Sequence, residues 1–352
     1  EPSQNIMISE STIDKVRNLA IEDILKPYIR LSRKGLTLMG LCPFHSERTG
    51  SFAVTPGKNL FHCFSCNRGG DGITFIMEKE NLTFMEAGTF IAKNNGIPIE
   101  YSDEERSEEE LLEVKHKESL LIILDHLQRF FVEYLRVATT DESRIAREYA
   151  YGRWSEEFCS IAGIGYAPKD GSSFIEQCRR EGISEESLFE LGMFKRGEDD
   201  GIYAMFRQRI MIPVRNRWGR IIAYTARYIG NNEKAPKYIN SSTSIIYSKG
   251  ETLFGIDRAS RQRDVDYFII VEGAPDVLRM QSIGFDNTIA ALGTAWTDSQ
   301  FDQLKKFTSS LCFIPDSDTA EGKPYGAGFE AVITNGASAI KKGFHVTVRE
   351  LP

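Results

Sequence analysis

The pattern of apolar and polar positions divides the chain into stretches of different character. Residues 1–100 read as a small α/β unit. Ile13, Val16 and Ala20 fall at helical spacing behind Ser11-x-x-Asp14, which reads as a capping box. Thr83-x-x-Glu86 opens a second helix that ends near Gly96. Between them lie short Phe-, Leu- and Val-rich segments punctuated by Gly and Pro. Residues 113–150 carry the clusters LLIIL and FFVEYL with no Pro or Gly, which predicts helix. Residues 205–249 are strand-like: MFRQRIMIPV, GRIIAYTARYI and KYINSSTSIIY alternate apolar with basic or polar positions. Asn216–Gly219 and Gly230–Asn232 break them as turns.

From residue 264 the pattern turns to strand–helix alternation. DYFIIV ends at Glu272, and a helix from Asp276 to about Ser282 stops before Gly284. TIAALG, a helix from about Asp298, and SLCFIP running up to Asp316 follow. A helix around 328–341 leads to FHVTVREL. Short apolar strands separated by helices predict a parallel sheet with helices on both faces. The fold class is therefore α/β multi-domain: a small N-terminal unit, a mixed α+β basic part, and a parallel-sheet α/β part. No internal repeat or low-complexity tract is present.

A length of 352 residues implies two or three domains at roughly 100–200 residues each. We place them at 1–102, 103–113 (an acidic linker), 114–263 and 264–352. An apolar fraction of 41 % supplies a sizeable core and excludes wholesale disorder. No apolar run approaches the roughly 20 residues that span a bilayer. The N-terminus EPSQNIMISE carries no secretory signal, so the six cysteines are expected as reduced thiols in a cytoplasmic protein. Starting without Met and stopping at Leu351-Pro352, the chain reads as an excised fragment.

A net charge of −7 argues by itself against a nucleic-acid binder, but the charge is unevenly placed. DEERSEEELLE (103–113) holds seven acids and one Arg. Met205–Lys249 holds nine basic residues (Arg207, Arg209, Arg215, Arg217, Arg220, Arg227, Lys234, Lys237, Lys249) against Glu233 alone, a net of +8. That excess predicts a polyanion-binding face. Arg on the solvent face of ordinary strands is the bland alternative.

Two motifs carry chemistry. Cys42-Pro43-Phe44-His45 is a C-x2-H, and Cys63-Phe64-Ser65-Cys66 is a C-x2-C. Two tight turns, each aiming two ligands at one ion, complete a tetrahedron, and three thiolates with one imidazole suit a closed, structural Zn²⁺ site. His62 is off the spacing and reads as a bystander. Arg48, Lys58 and Arg68 interleave with Phe52, Phe61 and Phe64; exposed rings there would stack bases, although most of these Phe are expected in the core. The second motif is acidic. Ligands of parallel sheets sit beyond the carboxyl ends of strands. Glu272 ends one strand within Glu-Gly-Ala-Pro-Asp276, and Asp316-Ser-Asp318 ends another. Converging carboxylates call for a hard cation, Mg²⁺ or Mn²⁺, which in turn binds phosphates. Asp276, at a helix start, is read equally as a cap.

In this order the pieces resemble the bacterial DnaG-type DNA primases over essentially the whole chain. CPFHSERTGSFAVTPGKNLFHCFSCNRGGDGITFIM resembles the family's zinc-binding domain, FRQRIMIPVRNRWGRIIAYTAR with KYINSSTSIIYSKGETLFGIDRA its basic catalytic subdomain, and IIVEGAPDVLRMQSIGFDNTIAALGTAWT with IPDSD the Toprim fold shared with type IA topoisomerases. The resemblance implies RNA primer synthesis on single-stranded DNA at replication forks, from ribonucleoside triphosphates. It implies that Glu272, Asp316 and Asp318 hold Mg²⁺, and that Lys237 and Lys249 contact nucleotide or primer–template with Arg227 beside them. Arg153, in REYAYGRWSEEF, sits near a family arginine, and Arg207 and Arg209 join the basic strands. It further implies a monomer associated with the replisome, whose C-terminal helicase-contacting domain is absent from this sequence. Three departures stand out: Ser317 where the family has Gly, extra residues in TAEGKPYGAGFEA, and an end within the Toprim fold. The rival readings are a topoisomerase-like enzyme, which needs a nucleophilic tyrosine that none of the 13 Tyr here supplies in a recognisable setting, a Toprim nuclease, which leaves the zinc module and the +8 stretch unexplained, and a non-catalytic zinc-containing single-strand-binding module, which leaves the strand-end acids unexplained.

Overall fold

The computed structural model describes residues 8–80, 82–101, 107–198, 200–262, 266–293, 295–315 and 327–349. It divides into two compact units, one through Ser119 and one from Leu120.

The first unit begins with α1 (Glu10–Arg17) and α2 (Ile21–Leu25). The N-cap of α1 is Ser9, not Ser11: Ser9 is extended at φ −68°, ψ 155°, and its hydroxyl accepts the Thr12 N–H at 3.2 Å. Ser11 already lies inside the helix. Five short antiparallel strands follow in spatial order β1 (Ser32–Lys34), β2 (Thr37–Gly40), β3 (Phe52–Thr55), β4 (Leu60–Cys63) and β5 (Gly69–Gly70). Helices α3 (Gly72–Glu80) and α4 (Phe84–Asn94) complete the unit, and α4 opens on the expected Thr83–Glu86 capping box. Phe52 and Phe61 stack at 5.0 Å, and Phe75 meets Phe61 edge-on at 5.6 Å. These rings are buried, so they form the miniature core, whereas Phe64 is 46 % exposed and stands edge-on to His62 at 4.9 Å.

Helix α5 (Glu108–Val137) starts inside the acidic run, and the division between the two units falls within it. The helical reading of 113–150 splits here. Thr140 caps a new helix, α6 (Asp141–Trp154), by accepting the Ser143 N–H at 3.2 Å. Then come α7 (Glu156–Ala162), β6 (Gly165–Ala167), α8 (Ser172–Arg180), α9 (Glu185–Glu190) and the hairpin β7 (Phe194–Arg196)–β8 (Ile202–Ala204). The basic stretch supplies β9 (Arg209–Arg215), β10 (Ile221–Tyr228) and β11 (Tyr238–Asn240). They form an antiparallel sheet of order β11-β10-β9-β6. Strand β11 is shorter than the apolar alternation suggests, because beyond Ser241 the chain leaves the sheet with an isolated bridge, Ser244–Tyr247. Strands β9 and β10 are buried along most of their length. Ile210, Ile212 and Val214 pack with Trp154 and Tyr166, while Met211, Tyr224 and Ala226 pack with Leu124, Phe131 and Phe174.

The last part holds β12 (Leu253–Phe254), α10 (Ile256–Ala259), β13 (Phe268–Ile270), α11 (Ala274–Ser282), β14 (Thr288–Ala291), α12 (Asp298–Leu304), β15 (Ser310–Phe313), α13 (Ala327–Lys341) and β16 (His345–Val348). The sheet order is β12-β14-β13-β15-β16, parallel except for β12. Helix α11 starts at Ala274 rather than Asp276. Pro275 stands in its first turn, where a missing N–H breaks no helical bond.

Candidate functional site

Strand β2 runs out toward Cys42, and β4 ends on Cys63, so the antiparallel pairing of β2, β3 and β4 brings the two knuckles together. The loops meet tightly: a Cβ on Gly50 would lie 2.8 Å from the Gly40 carbonyl oxygen. The second knuckle closes through the Asn67 N–H donating to the Cys63 carbonyl at 2.8 Å, with Asn67 left-handed at φ 61°. The Cys66 N–H points at Cys63 Sγ, 3.4 Å away. The donor atoms of Cys42, His45, Cys63 and Cys66 all lie within 4.8 Å of one another. Cys42 Sγ and Cys66 Sγ are 3.8 Å apart, which is the edge of about 3.8 Å that a tetrahedron with Zn–S bonds of about 2.3 Å requires.

The electrostatics fit the same ion. Burial, with the neighbouring sulfurs, pushes the Cys42 thiol up to about 12 and the Cys66 thiol up as well. Burial also opposes ionisation of Cys63, but the Cys66 N–H and the Ser51 hydroxyl outweigh it and hold Cys63 below the ordinary range. Three thiolates cannot share so small a volume without a cation, and a divalent one removes the conflict. Glu47, which the spacing argument missed, organises the site. Its carboxylate accepts the Cys42 N–H at 2.8 Å, the Ser51 N–H at 3.0 Å and the Ser51 hydroxyl at 2.6 Å. His45 Nε2 lies 3.1 Å from it, which turns Nδ1 toward the sulfurs. The Ser51 hydroxyl foremost, with these N–H groups, pulls the Glu47 carboxyl down to about 2. The sequence signal was an acid two residues after a ligand histidine. His62 is indeed a bystander, its Nε2 3.1 Å from Asn67 Oδ1.

At the second site, β13 lies between β14 and β15, with Ile270 opposite Phe313 and the Ile314 N–H donating to the Ile270 carbonyl at 2.9 Å. The carboxyl ends of the two acid-bearing strands are therefore neighbours. Glu272 is exposed two residues beyond Ile270. Asp276 is in the first turn of α11, its Oδ2 3.8 Å from where a Cβ on Gly273 would stand. This edge thus offers hard oxygen donors of the kind a divalent cation takes. Asp316, Ser317 and Asp318 lie outside the described residues, as does most of the stretch after them.

The basic stretch is not one continuous face. Arg209 is buried, donating to the Ala226 and Pro236 carbonyls, the latter at 3.0 Å. Arg215 donates to the Gly219 carbonyl at 2.8 Å. Arg220 is buried and pairs with Asp125 at 3.3 Å. Arg207, Lys234, Lys237 and Lys249 are exposed, as is Arg153. The guanidinium of Arg227 sits between the rings of Tyr149 (5.1 Å) and Tyr238 (5.3 Å). Lys249 reaches the parallel sheet: its Cε is 3.4 Å from the position of a Cβ on Gly293, just past β14. Counting residues overstates the free charge because three of the nine hold backbone or a carboxylate of the fold itself.

Three family profiles match in succession: a CHC2 zinc finger over residues 8–107, the N-terminal domain of the DNA primase catalytic core over 130–260, and a Toprim-like domain over 269–352. The solved zinc-binding and RNA polymerase domains of Aquifex aeolicus primase are similar over 98 % of this chain and 80 % of theirs, at 30 % identity and a TM-score of 0.68. This chain belongs to the DnaG primase family. The DNA primase of Halalkalibacterium halodurans is 31 % identical over 99 % of the chain; the chain spans 56 % of that relative's length. A DnaG primase catalytic domain solved bound to single-stranded DNA covers 68 % of the chain and matches over 75 % of its own length, at 28 % identity and a TM-score of 0.58. A zinc-ribbon domain with a Cys3His group supports zinc in the first unit, and the Toprim match implies a divalent metal. Among the described residues no helix is long and apolar enough to cross a membrane.

Proposed function

We propose that this chain makes short RNA primers on single-stranded DNA by nucleotidyl transfer from ribonucleoside triphosphates. The observation that carries the reading is the adjacency of β13 and β15, whose carboxyl ends lead into Glu272 and Asp316, in a chain that follows the primase domain order. Glu272, Asp316 and Asp318, with Asp276 nearby, are the residues that would hold Mg²⁺ or Mn²⁺. When bound, such ions lower the pKa of an attacking hydroxyl and neutralise charge building on the phosphate. Lys249 is assigned to the triphosphate charge, and its position beside Gly293, just past β14, supports that assignment. Lys237, Arg227, Arg153 and Arg207 are assigned to template and primer phosphates, where point charges and guanidinium forks fix position without reading sequence. Arg209 is left out of that surface, because its guanidinium is spent on carbonyls. The similar catalytic domain bound to single-stranded DNA supports the template class.

Cys42, His45, Cys63 and Cys66 are proposed to hold one structural Zn²⁺, keeping the ribbon rigid while it helps choose where initiation occurs. The domain limits 1–102, 103–113, 114–263 and 264–352 stand as part of the same proposal. So do a monomeric state, a cytoplasmic location at bacterial replication forks, and a replicative helicase as partner of the full-length protein.

The test is primer synthesis with labelled ribonucleotides on single-stranded DNA, using the full-length parent and a Mg²⁺ titration. Wild type is expected to make short RNA. Asp316→Asn and Glu272→Gln are each expected to lose at least about a hundredfold in rate while binding DNA normally, as for groups acting only in transfer. Wild-type rates in Asp316→Asn, or strand cleavage in place of synthesis, would overturn the reading.

A further inference from the structure

The acidic segment Glu272–Asp276, which runs into the first turn of α11, is gripped from a distant part of the chain. Trp154, the last residue of α6, is 1 % exposed and packs with Ala274, Val277 and Leu278. Its indole N–H donates to the Pro275 carbonyl at 3.4 Å, within the first turn of α11. One turn further along α11, Arg279 Nη1 donates to the Arg153 carbonyl at 3.1 Å. Two bonds of opposite direction thus join the corner Arg153–Trp154 to the first turns of α11. The corner is itself strained: Ser155 adopts φ 68°, ψ 155°, a region that residues with a Cβ rarely occupy. Ser155 also caps α7, its hydroxyl accepting the Phe158 N–H at 3.2 Å. Such a conformation persists only where the surroundings hold it, and here Ser155 is bonded on both sides, to the Tyr151 carbonyl of α6 and the Cys159 N–H of α7.

We propose that Trp154 and Arg279 form a positioning latch that fixes the Glu272–Asp276 carboxylates for divalent-metal binding and holds them in register with the basic strands. The purpose rests on the primer-synthesis reading; the effect on metal binding does not. Pro275 directly precedes Asp276 and lies in the first turn of α11, which Glu272 leads into, so a bond to its carbonyl restrains the segment that carries both acids. Arg279 sets the rotation of α11 about that anchor. Neither side chain is assigned to metal, nucleotide or template, so both are positioning residues.

Trp154→Phe keeps a buried aromatic ring and removes the N–H together with part of the indole body, so some loss of thermal stability is expected from this variant alone. Arg279→Ala acts on the exposed side of the latch, where folding is not at stake. Mn²⁺ binding is read by electron paramagnetic resonance on the purified protein, beside primer synthesis, single-stranded-DNA affinity and thermal melting. Each variant is expected to weaken Mn²⁺ binding about tenfold, the low end for groups that orient metal-binding residues. The metal concentration for half-maximal synthesis should rise by the same factor, while DNA affinity holds in both variants and the melting curve holds in Arg279→Ala. Mn²⁺ binding by wild type that weakens in both variants, with no primers made by wild type, would sustain the latch and sink the primer reading. Wild-type synthesis with unchanged Mn²⁺ affinity in both variants would overturn the latch alone. A fall in melting temperature without a change in Mn²⁺ affinity would also overturn it, because it marks Trp154 as packing only.

Discussion

At the scale of single residues, the zinc site shows how much depends on a side chain that is not a ligand. Glu47 collects two backbone N–H groups and the Ser51 hydroxyl, and it faces His45 Nε2 at 3.1 Å. Its charge and its shape both matter, because a carboxylate accepts from all four donors at once whereas an amide must turn an N–H toward some of them. Glu47→Gln is therefore expected to leave the four ligands present and still weaken Zn²⁺ retention by about 10–100-fold, the usual effect of removing a group that orients a ligand histidine. Competition against a chromogenic chelator measures it. Retention equal to wild type would show that the knuckle backbone alone sets the His45 ring.

At the scale of elements, the strands β9–β11 separate two uses of basic residues that look alike in sequence. Arg209 lies at a strand start, folded back onto the Ala226 and Pro236 carbonyls. Lys237 lies just before β11 and is exposed. Arg209→Ala removes a buried guanidinium and its charged bonds to these carbonyls, a cost of about 1.5–3 kcal/mol, and should lower the melting temperature by several degrees. Lys237→Ala should leave melting unchanged. It should instead weaken single-stranded-DNA binding and reduce the slope of log K against log salt by about 0.7, the contribution of one phosphate contact. Melting curves and salt titrations of the two variants, run side by side, decide the matter; equal effects on both observables would collapse the distinction. Sequence alone does not draw it, because whether an arginine turns outward or back depends on carbonyls that arrive from residue 236, nearly thirty positions away.

At the scale of the whole molecule, what was legible follows the range of the interactions. Strands β13, β14 and β15 read directly as apolar runs because both faces of a parallel sheet are buried. The C-x2-H and C-x2-C pairs read directly because a knuckle is local. The α4 capping box was legible for the same reason, and the misplaced Ser11 cap failed by two residues within the same kind of signal. Trp154 was not legible as part of the acidic loop, since its partner Pro275 is 121 residues away. That division of range also governs how the molecule should come apart. The first unit holds its own small core of Phe44, Phe52, Phe61 and Phe75 beside the four metal donors, and the second holds larger cores that no zinc donor enters. Cys42 and Cys63 are buried among these rings, so stripping the ion returns three crowded thiols to an apolar setting and unties the two knuckles. Zinc removal by chelation is thus expected to abolish hydrogen-exchange protection across residues 42–70 while leaving β9, β10, β13 and β15 as slow as before. Thermal scans should correspondingly lose or lower one transition and retain the other. Exchange mass spectrometry of the metal-loaded and chelated protein reads both units in one experiment. Loss of protection in β13 and β15 on chelation would mean that the two units stand or fall together. Unchanged protection at 42–70 would mean that the phenylalanine core, not the ion, holds the ribbon.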